Sequence, residues 1–308
     1  MKKFLQIILN RNVILISAVV LGLTIGQNAS LIKPYTIYIL MVTMVFSMTG
    51  ITTKAMFPLK RMIRPMLAGT FLNFFIFGSL IIFLAWILMP NEYLFYGFVV
   101  IATAPPGVAI VPFSGILKGD MNYSIIGVLG AFLASVVITP LIIGLFSHSG
   151  NAISPVELIV LMVKLIIIPL LISRLLLLPK IFPVVERIRG KMVDLGFALI
   201  IFTAVGMNRQ VFFENYDILM LISIVLLAGT FGIGSLFEFF MKRRGQKDRF
   251  TIPQTLLLTI KSSGFSVVTA FTLFGEKAAI PSAVLAVIVL LYLLFLSSRM
   301  EIKKALKN

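Results

Sequence analysis

The sequence predicts an all-α membrane protein with ten transmembrane helices, laid out as two inverted-topology five-helix repeats in which helices 4 and 9 are broken. Composition is the first observation behind this: 59% hydrophobic residues, 12% charged residues and a mean hydropathy of +1.09 lie far from a soluble domain. Length is the second, since 308 residues supply ten apolar spans of about 20 residues with short connections. The third is a pair of interruptions, Ala104-Pro105-Pro106-Gly107 and Lys261-Ser262-Ser263-Gly264. Each falls in the fourth of five apolar segments in its half, the pattern expected of a broken-helix site between repeats. An odd number of spans per half inverts the second half relative to the first. The chain, 1–308, reads as one transmembrane domain, with repeat one over about 1–147 and repeat two over about 155–300.

The segments follow in order. Met1 to Ser30 has the Lys2-Lys3 head and small-residue end of a signal peptide, but Asn10-Arg11-Asn12 splits its apolar core. Phe4 to Leu9 is therefore read as interfacial and Val13 to Gly26 as the body of the first span. Further spans are expected at 35–52, 64–89, 94–117, 121–146, 156–177, 191–207, 217–240, 253–274 and 278–299. Gly127, Ala131 and Ser135 at four-residue spacing, and Ala228 with Gly232, mark close helix packing.

The net charge of +16 is explained by where the charges fall. Of the 27 Lys and Arg, 22 sit at the termini and the even-numbered connections, whereas the odd-numbered connections hold Lys33, Arg209 and Lys277. The positive-inside rule then places both termini in the cytoplasm, and the plasma (inner) membrane is the expected location. The run from Lys242-Arg243-Arg244 to Arg249 sets topology and meets anionic membrane lipid, so nucleic acid is not an expected partner. The chain has no cysteine, and its single histidine, His148, falls in a predicted loop. No disulfide framework, metal cluster or cofactor is expected.

Neither proline of the first break can donate a backbone hydrogen bond, so about one turn should open there. Carbonyls freed inside a membrane need a polar cavity or other partners. The second break carries Lys261, and a mid-bilayer lysine costs ~2.5–3.5 kcal/mol on insertion scales, which marks it as functional. No carboxylate is expected at its depth: Asp194 and Glu238 lie toward the cytoplasmic ends of their spans, Glu157 and Glu276 toward the outer side. Lys261 therefore either meets an anionic substrate, exchanges its proton during a transport cycle, or ties together the carbonyls released by the two breaks. Lys164, in segment six, reads as snorkelling or paired with Glu157 seven residues earlier. Thr203, like Asn73, Ser124 and Thr103, either lines a cavity or makes a helix-to-helix hydrogen bond. The candidate substrate- or ion-binding set is Asn73, Thr103, Ala104, Pro105, Pro106, Gly107, Ser124, Lys261, Ser262, Ser263, Gly264 and Ser266. No catalytic residue is assigned.

The stretch Ala104 to Phe113, running on to Leu117-Lys118-Gly119-Asp120 and Thr139-Pro140, resembles the fourth and fifth helices of the bile acid:sodium symporter family. Arg64-Pro65 to Asn73-Phe74 resembles the family's third helix, and Lys261-Ser262-Ser263-Gly264 falls where the family has Gln-Asn-Ser-Gly. With the ten-span plan, the similarity covers nearly the whole chain. The resemblance implies a panel domain and a core domain, helices 4 and 9 crossing in the core, and a secondary active transporter working by alternating access. Its substrate would be a small organic anion.

The departures from the family are specific. The acidic sodium ligand four positions before the Gln-Asn pair is here Leu257, and a Ser-Asn pair after the crossover is Ile110 and Val111. Of two helix-five hydroxyls, Ser124 is kept and the other is Val128, and a helix-three Gln is the shorter Asn73. Coupling to Na+ is thus in question, and the Lys261 ammonium is expected to take the place and charge of a sodium ion. H+ coupling or uniport follows, according to whether Lys261 titrates. A non-transporting sensor on the same fold is an alternative. A Ser-Lys intramembrane hydrolase built on Lys261 with Ser262 or Ser263 is another, though no nucleophile elbow or metalloprotease motif accompanies it.

Overall fold

The computed structural model describes residues 11–51, 59–107, 109–146 and 154–305, and these are helical almost throughout. In chain order the helices are α1 (Arg11–Ile25), α2 (Thr36–Met48), α3 (Leu59–Thr70), α4 (Gly78–Leu88), α5 (Glu92–Thr103), α6 (Ile110–Ile116), α7 (Met121–Phe146) and α8 (Pro155–Met162). There follow α9 (Ile168–Leu176), α10 (Phe182–Met207), α11 (Arg209–Glu214), α12 (Tyr216–Leu227), α13 (Ile233–Arg243), α14 (Asp248–Thr259), α15 (Ser263–Phe274) and α16 (Ile280–Ala305). Wide π-helical stretches at Phe71–Phe77, Val163–Ile167 and Ala228–Gly232 join α3 to α4, α8 to α9 and α12 to α13.

Among the described residues, seven stretches are long and apolar enough to cross a membrane: Val13–Met48, Met62–Leu88, Met121–Phe146, Val156–Leu176, Phe182–Met207, Tyr216–Arg243 and Lys277–Met300. The two segments expected to be broken are indeed divided, into α5 with α6 and α14 with α15. The seventh expected segment starts earlier than hydropathy suggested. Pro183 suits a first helical turn, so α10 begins at Phe182 and carries Glu186 to Lys191 as a charged leading turn. The interfacial assignment of Phe4 to Leu9 and the loop placement of His148 lie outside the described residues.

The long stretch Val13–Met48 doubles back on itself. α1 runs along α10 with Arg11 beside Asp194 and Gly26 against Gly206, whereas α2 meets α10 in the opposite order, Thr43 on Gly196 and Gly50 near Arg189. The reversal uses three short helical turns, Gly26–Asn28, Ala29–Ile32 and Lys33–Tyr35, the last containing Pro34. α1 approaches α10 through paired glycines, and a Cβ built on Gly26 would stand 2.5 Å from the Gly206 Cα.

Burial is inverted relative to a water-soluble fold. Leu31, Trp86, Leu141, Leu145 and Leu171 lie exposed, while Asn73, Thr103, Thr139, Thr203, Thr259 and Lys261 are buried. Apolar surface of this extent suits a hydrocarbon surround. α5 is buried on every side from Tyr96 to Thr103. Its Val99 and Val100 face one apolar cluster, and Phe98, Ile101 and Ala102 face another. The break at its C-terminus therefore opens within protein rather than into lipid.

Candidate functional site

α5 ends at Thr103 because Pro105 and Pro106 have no N–H and disfavour helix in the residues before them. Each carbonyl deprived of its helical donor has another partner. Ile101 O accepts from the Ala104 N–H at 3.3 Å, and Thr103 O accepts from the Thr139 hydroxyl at 2.7 Å. Ala102 O and Ala104 O each accept from the Lys261 ammonium at 2.8 Å. In a continuous helix Ala102 O would meet the N–H of residue 106, four positions on. Lys261 thus takes the acceptor that Pro106 leaves open.

The second break interlocks with the first. Ile260 and Ser262 are extended between α14 and α15. The Ser262 N–H donates to Pro105 O, and the Gly107 N–H donates to Ile260 O, both at 3.0 Å. Pro106 and Lys261 face each other as an antiparallel pair. Glycine at 107 permits the close approach, because a Cβ there would lie 3.2 Å from Lys261 O.

The Lys261 side chain is 1% exposed and ends on the wide turn Phe71–Phe77. Its Nζ donates to Asn73 Oδ1 at 2.7 Å and lies 4.9 and 5.2 Å from the ring centroids of Phe74 and Phe77. Asn73 Nδ2 donates to Leu257 O at 3.3 Å, which fixes the orientation of the amide. Three oxygens therefore surround the nitrogen. An ammonium has three N–H donors to match them, and a neutral amine has two. No carboxylate balances this charge among the described residues: Asp194 pairs with Arg11, Glu276 with Lys33, Glu238 with Arg299 and Lys242, and Asp120 with Arg249.

The structure therefore brings together Asn73, Ala104, Pro105, Pro106, Gly107, Lys261 and Ser262 from the sequence-derived set. Thr103 joins them through its carbonyl, while its hydroxyl donates within α5 to Val100 O at 3.2 Å. Among the described residues, the buried hydroxyls of Ser124 and Ser262 have no hydrogen-bond partner, and that of Ser266 donates to Ser263 O. Gly264 packs on α10, where a Cβ would meet the Phe197 ring at 2.6 Å. Lys164 is exposed and makes no ion pair with Glu157. Thr203 donates to Leu199 O in its own helix. Sequence inspection missed the aromatic wall of Phe74 and Phe77 and the Thr139 hydroxyl. Only the adjacency of Phe74 to Asn73 signals any of them, because partners on different helices, 188 positions apart for Lys261 and Asn73 and 36 for Thr139 and Thr103, show no common period.

A small, partly open cleft lies beside the crossover. α1 contributes Arg11 and Leu15, the crossover Gly107, Ala109, Ile260, Lys261 and Ser263, and α6 Phe113. α10 contributes Phe197 and Ile201, and α16 Ala286, Val289, Leu290 and Leu293. None of the groups that bind the Lys261 ammonium lines this cleft.

Apolar helices packed around two interlocked helix breaks, with a cleft alongside, define a membrane carrier of the broken-helix class. The sequence pattern of the Sodium Bile acid symporter family matches residues 35–215, and the chain belongs to that family. The matched region includes the Pro105-Pro106 break and ends before Lys261. No curated protein matches the chain in a sequence comparison. Members of the family are transporters, not enzymes, and this chain is an integral membrane secondary transporter of a small solute. The Lys261 nitrogen bonds to Asn73, Ala102 and Ala104.

Proposed function

We propose that this protein carries a small organic anion across the plasma (inner) membrane by alternating access, with Lys261 in place of a coupling sodium ion. The ten-span reading of two inverted five-helix repeats belongs to this proposal, with both termini cytoplasmic and a core domain rocking against a panel. So does the assignment of the crossover residues to the substrate and ion site. Two features favour the rocking reading. The cleft includes Arg11 at the start of α1, and the far end of α1 is linked by Lys33 to Glu276, in the turn between α15 and α16. One end is open and the other is tied.

One observation carries the coupling claim: the buried Lys261 ammonium holds three oxygens at 2.7–2.8 Å. Sodium needs several oxygen ligands, and the donor set does not fit it. Three of the oxygens at the crossover already have a cation, and Leu257, Ile110 and Val128 are buried apolar side chains. The Leu257 methyls press on Gly127 of α7 instead. A match of three donors to three acceptors favours a permanently charged lysine, and so a uniporter over a proton-coupled carrier. The test is uptake of radiolabelled organic acids into proteoliposomes, with sodium or potassium outside and with or without a pH gradient. Uptake that proceeds in potassium without a pH gradient supports the proposal; a strict sodium requirement refutes it.

A further inference from the structure

We propose that Arg11, rather than Lys261, binds the negative charge of the solute, and that Asp194 holds the guanidinium in position until the solute arrives. This rests on the carrier reading and names the anion-binding side chain within it.

The polar side chains of the cleft decide the point. Among its described lining residues only Arg11, Lys261 and Ser263 carry one. The Lys261 ammonium is fully engaged with Asn73, Ala102 and Ala104, none of which lines the cleft, and it has no free N–H to offer. Ser263 is neutral. Among the described lining residues, Arg11 is therefore the one cation with donors to spare. Its Nε lies 3.5 Å from Asp194 Oδ1, and its side chain is 30% exposed. Among the described residues, Nη1 and Nη2 make no hydrogen bond.

That geometry leaves one edge of a planar fork free, and a guanidinium suits a carboxylate or sulfonate through two parallel N–H bonds. Asp194, on α10, orients the fork from the Nε side. Arg11 thus presents its open edge without being buried unpaired. The remaining walls, including Leu15, Phe113, Phe197 and Ile201, are apolar. The site fits an anion with an apolar body, its head at Arg11 and its body toward the crossover, where Ser263 offers a hydroxyl.

The experiment uses 4-phenylbutyrate and its uncharged isostere 4-phenylbutyramide as probes, with the purified full-length protein and melting temperature as readout. Wild type is expected to show a concentration-dependent rise with the carboxylate and little with the amide. Arg11→Gln should remove the carboxylate preference, raising the half-saturating concentration at least about tenfold. Asp194→Asn, which keeps Arg11 and removes its internal rival, should preserve the preference or tighten it. Should Arg11→Gln fail to fold, Arg11→Lys takes its place and should weaken the carboxylate effect without restoring it for the amide. A preference that survives at Arg11→Gln, or that is undiminished at Arg11→Lys, overturns the assignment, as does its absence in wild type. Carboxylate binding that depends on Arg11, without uptake into proteoliposomes, upholds the subsite and refutes the carrier reading.

Discussion

Lys261 Nζ lies 2.7 Å from Asn73 Oδ1, and Asn73 Nδ2 reaches back to Leu257 O at 3.3 Å. This short relay ties the wide turn between α3 and α4 to the end of α14 and to the second break itself, since Leu257 is in α14 and Lys261 follows it. The same nitrogen holds Ala102 and Ala104, so one side chain joins three segments of the chain.

Removing that nitrogen should be costly in proportion to the oxygens it leaves bare. Lys261→Met conserves length but strands three buried acceptors, and each unpaired acceptor costs about 1–3 kcal/mol. Lys261→Gln retains an amide donor. Melting temperatures in a fixed detergent should fall in the order wild type, Lys261→Gln, Lys261→Met. Equal melting temperatures for the two variants would contradict the hydrogen-bond account.

The packing of α1 on α10 has no room for a methyl group. Gly26→Ala places a Cβ 2.5 Å from the Gly206 Cα, and Gly206→Ala places one 2.7 Å from the Ala29 Cβ. Overpacking of this kind typically costs about 1–3 kcal/mol. Gly144 has open space around it, so Gly144→Ala is the control and should be close to neutral. Thermal unfolding of the three variants measures the contrast.

The Lys33–Glu276 pair is partly exposed, with side chains 36% and 40% accessible, so its effect on stability should be small. Its effect on transport should be larger, because it links the α1–α2 turn to the turn before α16. Lys33→Glu and Glu276→Lys should each change the initial uptake rate, and the double exchange should restore it toward wild type. A double variant no better than either single one would show that the pair does not act as a unit.

How much of this was legible in the sequence follows from the physics of each feature. The Pro105-Pro106 break was legible because missing N–H groups act locally, and the flanking apolar runs marked the helices. Val13–Met48 forms one uninterrupted apolar stretch by composition, yet the sequence divides it into spans at Val13 to Gly26 and 35–52, with Lys33 in the connection where the chain reverses. Lys261 was legible as an anomaly, but its partners were not. The sequence left three fates for its ammonium open, and only the position of Ala102, Ala104 and Asn73 in space distinguishes among them. The start of α10 was misplaced because hydropathy follows lipid contact, whereas the helix continues into a charged turn. Arg11 was read only as a break in an apolar run, since its place in the cleft depends on α10 and α16.

The most direct test of the central claim is the melting temperature of the purified protein in sodium chloride against potassium chloride at equal ionic strength. It should be measured for wild type and for Lys261→Gln combined with Leu257→Glu. A bound ion stabilises the folded state as its concentration rises above its dissociation constant. With Lys261 as a built-in cation, wild type should melt at the same temperature in both salts. The double variant, which frees the oxygens and supplies a carboxylate, should gain a sodium-specific, concentration-dependent rise. A sodium-specific rise in wild type would contradict the account.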